Sequence, residues 1–259
     1  MTEGDCKPVV PALYLLFPAG KRPFPSQIHT IIADSGICSV SFDPTEDQRA
    51  KGKSSPPAEG WLELLSDGLT FDLAGMVPDA SPVLPAFRHQ YDFVADNAAE
   101  NFEALQLTCG PHLASGATQQ PVMRLQLRLA RDLARHVPDL VGVGWSPCDS
   151  VMSKDYFGRI MDSWLGGGPF PGLGLVGYRM TGDGALLSEG LDVWTGQEVQ
   201  LEGRLAQDRA YATRLAVRLV NQLIPLGHLD RAETLNGPDG APLHLVPLPD
   251  AGLIRVLEG

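Results

Sequence analysis

The hexapeptide LLSDGL at Leu64–Leu69 returns as LLSEGL at Leu186–Leu191, an offset of 122 residues. A glycine behind Asp or Glu permits positive φ in a tight strand connection, so the spelling alone says only that a turn recurs. The flanks carry the repeat further. Before each copy lies a strand, a proline-bearing loop, a helix and a strand: ALYLLF (12–17) to ICSVSF (37–42), and LVGVGW (140–145) to LGLVGY (173–178). After each come a strand (ALQLT, 104–108; EVQLE, 198–202), an amphipathic helix bearing arginines, and another strand. The expected fold class is therefore α+β, with two similar ferredoxin-like halves of about βαββαβ and mixed or antiparallel sheets. The halves are expected at residues 1–138 and 139–259.

Periodicity assigns the elements. Ile28, Ile31 and Ile32 share one face of a helix over Pro25–Asp34, and Trp61–Leu65 and Leu69–Leu73 read as strands around Ser66-Asp67-Gly68. Thr45–Gly60 is polar and proline-bearing and reads as a mobile loop. Pro121–Val137 reads as a helix whose Val122, Leu125, Leu129, Leu133 and Val137 face a core. Ser153 is placed to cap a helix over 153–165, Thr181–Gly184 to turn a hairpin, and Gln207–Ile224 to form a second amphipathic helix. Leu243–Leu257 closes as a hairpin around Pro249–Gly252.

Charge narrows the function classes. Acidic residues outnumber basic ones 31 to 20, for a net charge of −11. That field repels phosphate backbones and anionic headgroups, so neither nucleic acid nor membrane is an expected partner. The four cysteines, Cys6, Cys38, Cys109 and Cys148, show no paired spacing, and MTEGDCKPVV lacks the basic region and apolar core of a signal peptide. A cytoplasmic location with reduced thiols is the expectation. The uncharged run from Trp164 to Tyr178 holds six glycines and two prolines, and is shorter than the roughly 20 apolar residues of a spanning helix.

In the second half, a strand ends in Trp145, a short loop enters a helix containing Phe157, a Gly-rich passage follows, and GLDVWTGQEVQLEG leads to a long helix. From about Leu105 onward this pattern resembles an uncharacterised bacterial family, domain of unknown function 4261. The Gly-rich insert at 166–174 departs from it. The resemblance implies a bacterial cytosolic α+β protein, with some relatives in conflict or immunity loci, and implies no activity.

Motifs with chemical meaning are few. Gly172, Gly174 and Gly177 spell G-x-G-x-x-G, but a helix precedes them and a strand follows, the reverse of a dinucleotide site. Gly144-Trp145-Ser146-Pro147-Cys148 approaches a hydrolase elbow, yet Pro147 has no N–H to give an oxyanion. Cys109 and His112 offer an incomplete ligand pair, and His29, His89, His136, His228 and His244 show no metal-binding spacing. No metal and no cofactor are expected.

Arg124, Arg128, Arg131 and Arg135 recur at helical spacing on one face. Such a stripe is either a solvated face paired with local carboxylates or a contact for an acidic partner. The leading expectation is a non-enzymatic interaction protein for a protein partner, in a conflict, immunity or secretion-related locus, with the arginines, Trp145 and Trp194 as binding residues. The alternative is a hydrolase with its site in a cleft between the halves, near Trp145 and Trp194.

Overall fold

The computed structural model describes residues 10–52, 59–93, 101–238 and 240–259, and shows a mixed α+β chain with two sheets. By contacts the chain forms two compact units. The first comprises residues 1–87, 92–146 and 151–161, and the second 88–91, 147–150 and 162–259.

In the first unit, β1 (Leu13–Pro18), α1 (Pro25–Ser35), β2 (Ser39–Phe42), α2 (Pro44–Ala50), β3 (Trp61–Ser66) and β4 (Leu69–Ala74) come first. The short strand β5 (His89–Tyr91) is counted with the second unit, and the first resumes with β6 (Phe102–Cys109), α3 (Gln120–His136), β7 (Gly142–Trp145) and β8 (Ser150–Ser153). Its strands run in the order β2-β3-β4-β6-β1-β7-β8. The pairs β2–β3, β3–β4, β4–β6, β1–β6 and β1–β7 are antiparallel.

α3 follows its sequence pattern closely. Pro121 sits in its first turn, where the missing N–H costs nothing, and Leu127, Leu129, Ala130 and Leu133 are buried as it packs on β1 and β6. Gln126 is buried among them. Its amide donates to the carbonyls of Pro11 (3.0 Å) and Leu107 (2.9 Å), tying the helix to the sheet.

The expected loop over Thr45–Gly60 is corrected at its start, because residues 44–50 are helical. Asp43 caps α2 by accepting from the backbone N–H groups of Thr45 and Glu46, Pro44 pre-sets φ, and Glu46 and Asp47 favour the positive helix end. Residues 53–58 of that loop lie outside the described residues.

α4 (Lys154–Leu165) carries the chain from the first unit into the second. As expected, Ser153 caps it, its Oγ accepting from Tyr156 N–H at 3.0 Å. Beyond it lie β9 (Gly177–Met180), β10 (Leu186–Glu189), α5 (Asp192–Thr195), β11 (Glu198–Leu201), α6 (Arg209–Leu226), β12 (Glu233–Asn236), β13 (Pro242–Leu248) and β14 (Leu253–Glu258). The sheet order is β12-β13-β14-β11-β10-β9, antiparallel except for the parallel pair β11–β14. α6 packs on β10, β11 and α5. Trp194 of α5 stacks edge-on with Trp164 and Phe170, at ring-centroid distances of 6.0 and 4.9 Å.

The two repeated hexapeptides meet different surroundings. Ser66 and Leu69 pair directly across a two-residue turn, with Asp67 at φ 45° and Gly68 at φ 82°. Gly190 has the same φ of 82°, but it leads into α5 before the chain returns as β11. The shared spelling records the left-handed glycine rather than the length of the connection.

Candidate functional site

The second unit gathers charge around one carboxylate. Glu189 ends β10, opposite Gly177 on β9, and its side chain is 14% exposed. Its Oε1 accepts from Arg88 Nη1 (3.1 Å) and Arg179 Nε (2.7 Å), while Oε2 lies 2.9 Å from His89 Nε2. Burial opposes its ionisation, yet the bonds from His89 and Arg179 and the charge of Arg88 outweigh it and hold its pKa below the usual glutamate value. Arg88 is gripped a second time by Asp149, at 2.9 and 3.1 Å, and Asp149 O accepts the backbone N–H groups of Arg88 and His89.

Gly177 makes this geometry feasible. A Cβ there would stand 2.3 Å from the His89 ring, so only glycine lets the imidazole lie against β9 and reach Glu189.

Beside this network is a cavity of about 240 Å³, lined by Arg88, His89, Tyr91, Tyr178, Arg209 and Thr213 among others. Two of its groups have no partner among the described residues. Tyr178 is buried, and its hydroxyl makes no hydrogen bond. Burial pushes its phenol well above the ordinary range, so at neutral pH it is a proton donor. Arg209, in the first turn of α6, forms no ion pair or side-chain hydrogen bond, although the chain is acidic overall. A buried unsatisfied hydroxyl costs about 1–3 kcal/mol, and an arginine without a counter-ion leaves local positive charge. Together they equip the cavity to receive an anion, whereas the amino end of α6 is already capped by Asp208, whose carboxylate accepts from Tyr211 N–H at 2.9 Å.

Glu198 of β11 fixes the strand end that presents Glu189. Its Oε1 accepts from the N–H groups of Gly190 (2.6 Å), Leu191 (3.1 Å) and Asp192 (3.4 Å), and Oε2 accepts from the Ser188 hydroxyl. Burial pushes this carboxyl up to about 7, against the lowering effect of the Ser188 bond.

The residues singled out from sequence lie elsewhere. Arg128 is bound to Asp67 at 2.6 Å, and Arg131 and Arg135 reach Asp132 at 2.8 and 3.9 Å, which is the locally paired face. Arg124 is exposed on the same helix and also has an interaction partner. Trp145 and Trp194 are buried in the cores of the first and second unit respectively. Ser146 Oγ accepts the Ala12 N–H at 2.9 Å, and burial pushes the Cys148 thiol up to about 12, so neither is poised as a nucleophile. Cys109 is a buried thiol with its pKa raised, first by burial, and His112 lies 3.3 Å from Thr70 Oγ1. A strand follows Gly172–Gly177, as expected.

Sequence reasoning missed Arg88, His89, Tyr178 and Arg209. Apart from the adjacent Arg88 and His89 they are far apart in the chain, and each alone reads as an ordinary polar or aromatic residue. Comparison with protein-family models, curated proteins and solved structures finds no match to this chain.

Proposed function

We propose that the protein is a non-enzymatic binding protein whose second unit takes a carboxylate side chain presented by a protein partner. The observation that carries this reading is a cavity lined by both Tyr178, whose buried hydroxyl has no hydrogen-bond partner, and the exposed, unpaired Arg209. A cavity of about 240 Å³ suits one acidic side chain better than a nucleotide or a drug-sized ligand. The net charge of −11 repels polyanions, so the carboxylate belongs on a partner surface that is otherwise neutral or basic. The bacterial setting in a conflict or immunity locus rests on the family resemblance, the cytoplasmic location also on the cysteine spacing and the residues MTEGDCKPVV, and a secretion-related locus stays part of the same proposal. An origin of the two halves by duplication stays part of the proposal, supported by the repeated hexapeptide and by the matching φ of Gly68 and Gly190.

N-acetylglutamate methylamide and its uncharged glutamine counterpart test the reading by NMR titration of the whole chain. The glutamate compound should shift the resonances of Tyr178, Arg209 and Thr213, with a dissociation constant on the order of 1 mM, as a lone side chain gains little binding energy. Arg209→Gln should weaken it by about fivefold or more, a loss of about 1 kcal/mol. Tyr178→Phe should weaken it too, while leaving the unliganded fold as stable or more so, because it removes an unsatisfied group. Equal shifts from the glutamine compound, or an unchanged constant in Arg209→Gln, would overturn the proposal.

A further inference from the structure

We infer that the first unit carries a divalent-cation site built from His29, Asp43 and Glu46. The three arrive from two places: His29 from the middle of α1, and Asp43 and Glu46 from the N-cap and third residue of α2. Each offers one ligand atom, and these atoms lie within 4.8 Å of one another.

Their geometry joins a helix cap to a spacing that an ion can bridge. His29 Nε2 and Asp43 Oδ2 are hydrogen-bonded at 2.9 Å, a spacing that an ion could take over, since adjacent octahedral ligands with bonds of about 2.1 Å lie about 3.0 Å apart. Asp43 divides its two oxygens between tasks. Oδ1 accepts from Thr45 and Glu46 N–H and fixes the carboxylate, while Oδ2 points to His29. Its side chain is only 7% exposed, so Asp43 is held in place by burial and hydrogen bonding, and His29, 32% exposed, is held by its bond to Asp43.

Glu46 is the exposed member of the cluster. At the third position of a helix capped by Asp, a glutamate ordinarily reaches back to the N-cap N–H and completes a capping box. Here its carboxylate makes no hydrogen bond or ion pair among the described residues and lies instead with His29 and Asp43. Arg49, a cation lining the same groove, forms no ion pair with either carboxylate. Two carboxylates are thus brought together around an imidazole, with no lysine or arginine paired to either among the described residues. A dication is the natural occupant.

Space for the remaining ligands is present. His29, Asp43 and Glu46 line both of two adjoining grooves, of about 600 and about 360 Å³, so the other coordination positions face open volume. One imidazole with two carboxylates suits a first-row ion of the Mn²⁺ to Zn²⁺ class. Cys38 lines the larger groove, but burial pushes its thiol up to about 11, so it is not a thiolate ligand at neutral pH.

The full chain, freed of metal with a chelator, is titrated with Mn²⁺ by EPR and with Zn²⁺ by calorimetry. One site per chain, with a dissociation constant on the order of 10 µM, is expected, with proton release on binding. Glu46→Gln and His29→Gln should each weaken binding by about tenfold or more. Asp43 is left intact because it also caps the helix, and circular dichroism checks that both variants fold. His112→Gln serves as the control and should bind as the wild type does. Absence of binding at about 1 mM metal, or several weak sites indifferent to Glu46→Gln and His29→Gln, would overturn the inference. Neither result bears on the cavity of the second unit.

Discussion

Glu198 shows how much one residue owes to its surroundings. In the sequence it is one acidic residue in a strand, whereas in the fold three backbone N–H groups and a serine hydroxyl converge on it under heavy burial. Burial dominates and raises its pKa from 4.5 to about 7, so between those values the folded chain holds a proton that the unfolded chain has lost. Its contribution to stability is therefore greatest below pH 4.5 and falls as pH rises towards 7. The full swing is on the order of 3 kcal/mol. Glu189, Glu103 and Glu202 have lowered pKa values and act with the opposite sign, so the readout is the difference between wild type and Glu198→Gln. Urea unfolding at pH 4.5, 6 and 7.5 should show the variant gaining on the wild type as pH rises, and a difference that does not change with pH would refute this account. Tyr178 and Arg209 pose the same problem of legibility. Nothing in their neighbouring residues marks one hydroxyl as unsatisfied or one guanidinium as unpaired.

Among the elements, α3 was the most legible, since its apolar residues recur at three and four positions between two prolines and the structure buries that face. Gln126 escaped because a polar letter within such a pattern reads as solvent-facing, and only the carbonyls of Pro11 and Leu107 give it a reason to be buried. The two faces of this helix should differ sharply in energetic weight. Leu133→Ala removes a fully buried side chain and should cost about 2–5 kcal/mol. Arg128→Gln breaks a pair with an exposed aspartate and should cost about 1 kcal/mol or less. Denaturant midpoints of both variants at constant slope would check the contrast, and a larger loss from Arg128→Gln would show that the arginine face carries structure. The start of α2 was written in Asp43-Pro44-Thr45-Glu46, but the polar, proline-bearing context hid it.

For the molecule as a whole, a net charge of −11 sets two salt responses of opposite sign. Raising salt from about 0.01 to about 0.1 M shortens the Debye length from about 30 to about 10 Å and screens repulsion among the surplus carboxylates, so the thermal midpoint should rise. Carboxylate binding in the second unit should weaken over the same range, because salt screens the local attraction of Arg209. A midpoint that falls with salt would mean that attractive pairs outweigh the net charge. No helix among the described residues is long and apolar enough to cross a membrane. Local pattern alone determined the α+β class, the two long amphipathic helices, most strands and the turn glycines, because each depends on residues a few positions apart. The tertiary structure decided which side chains lack a partner or share one. His89 meets Glu189 across 100 residues, and His29 meets Asp43 by way of a helix cap, so both sites arise from sheet register and helix placement. Sites of this kind are sums of burial and through-space charge, and neither quantity exists until the chain has folded.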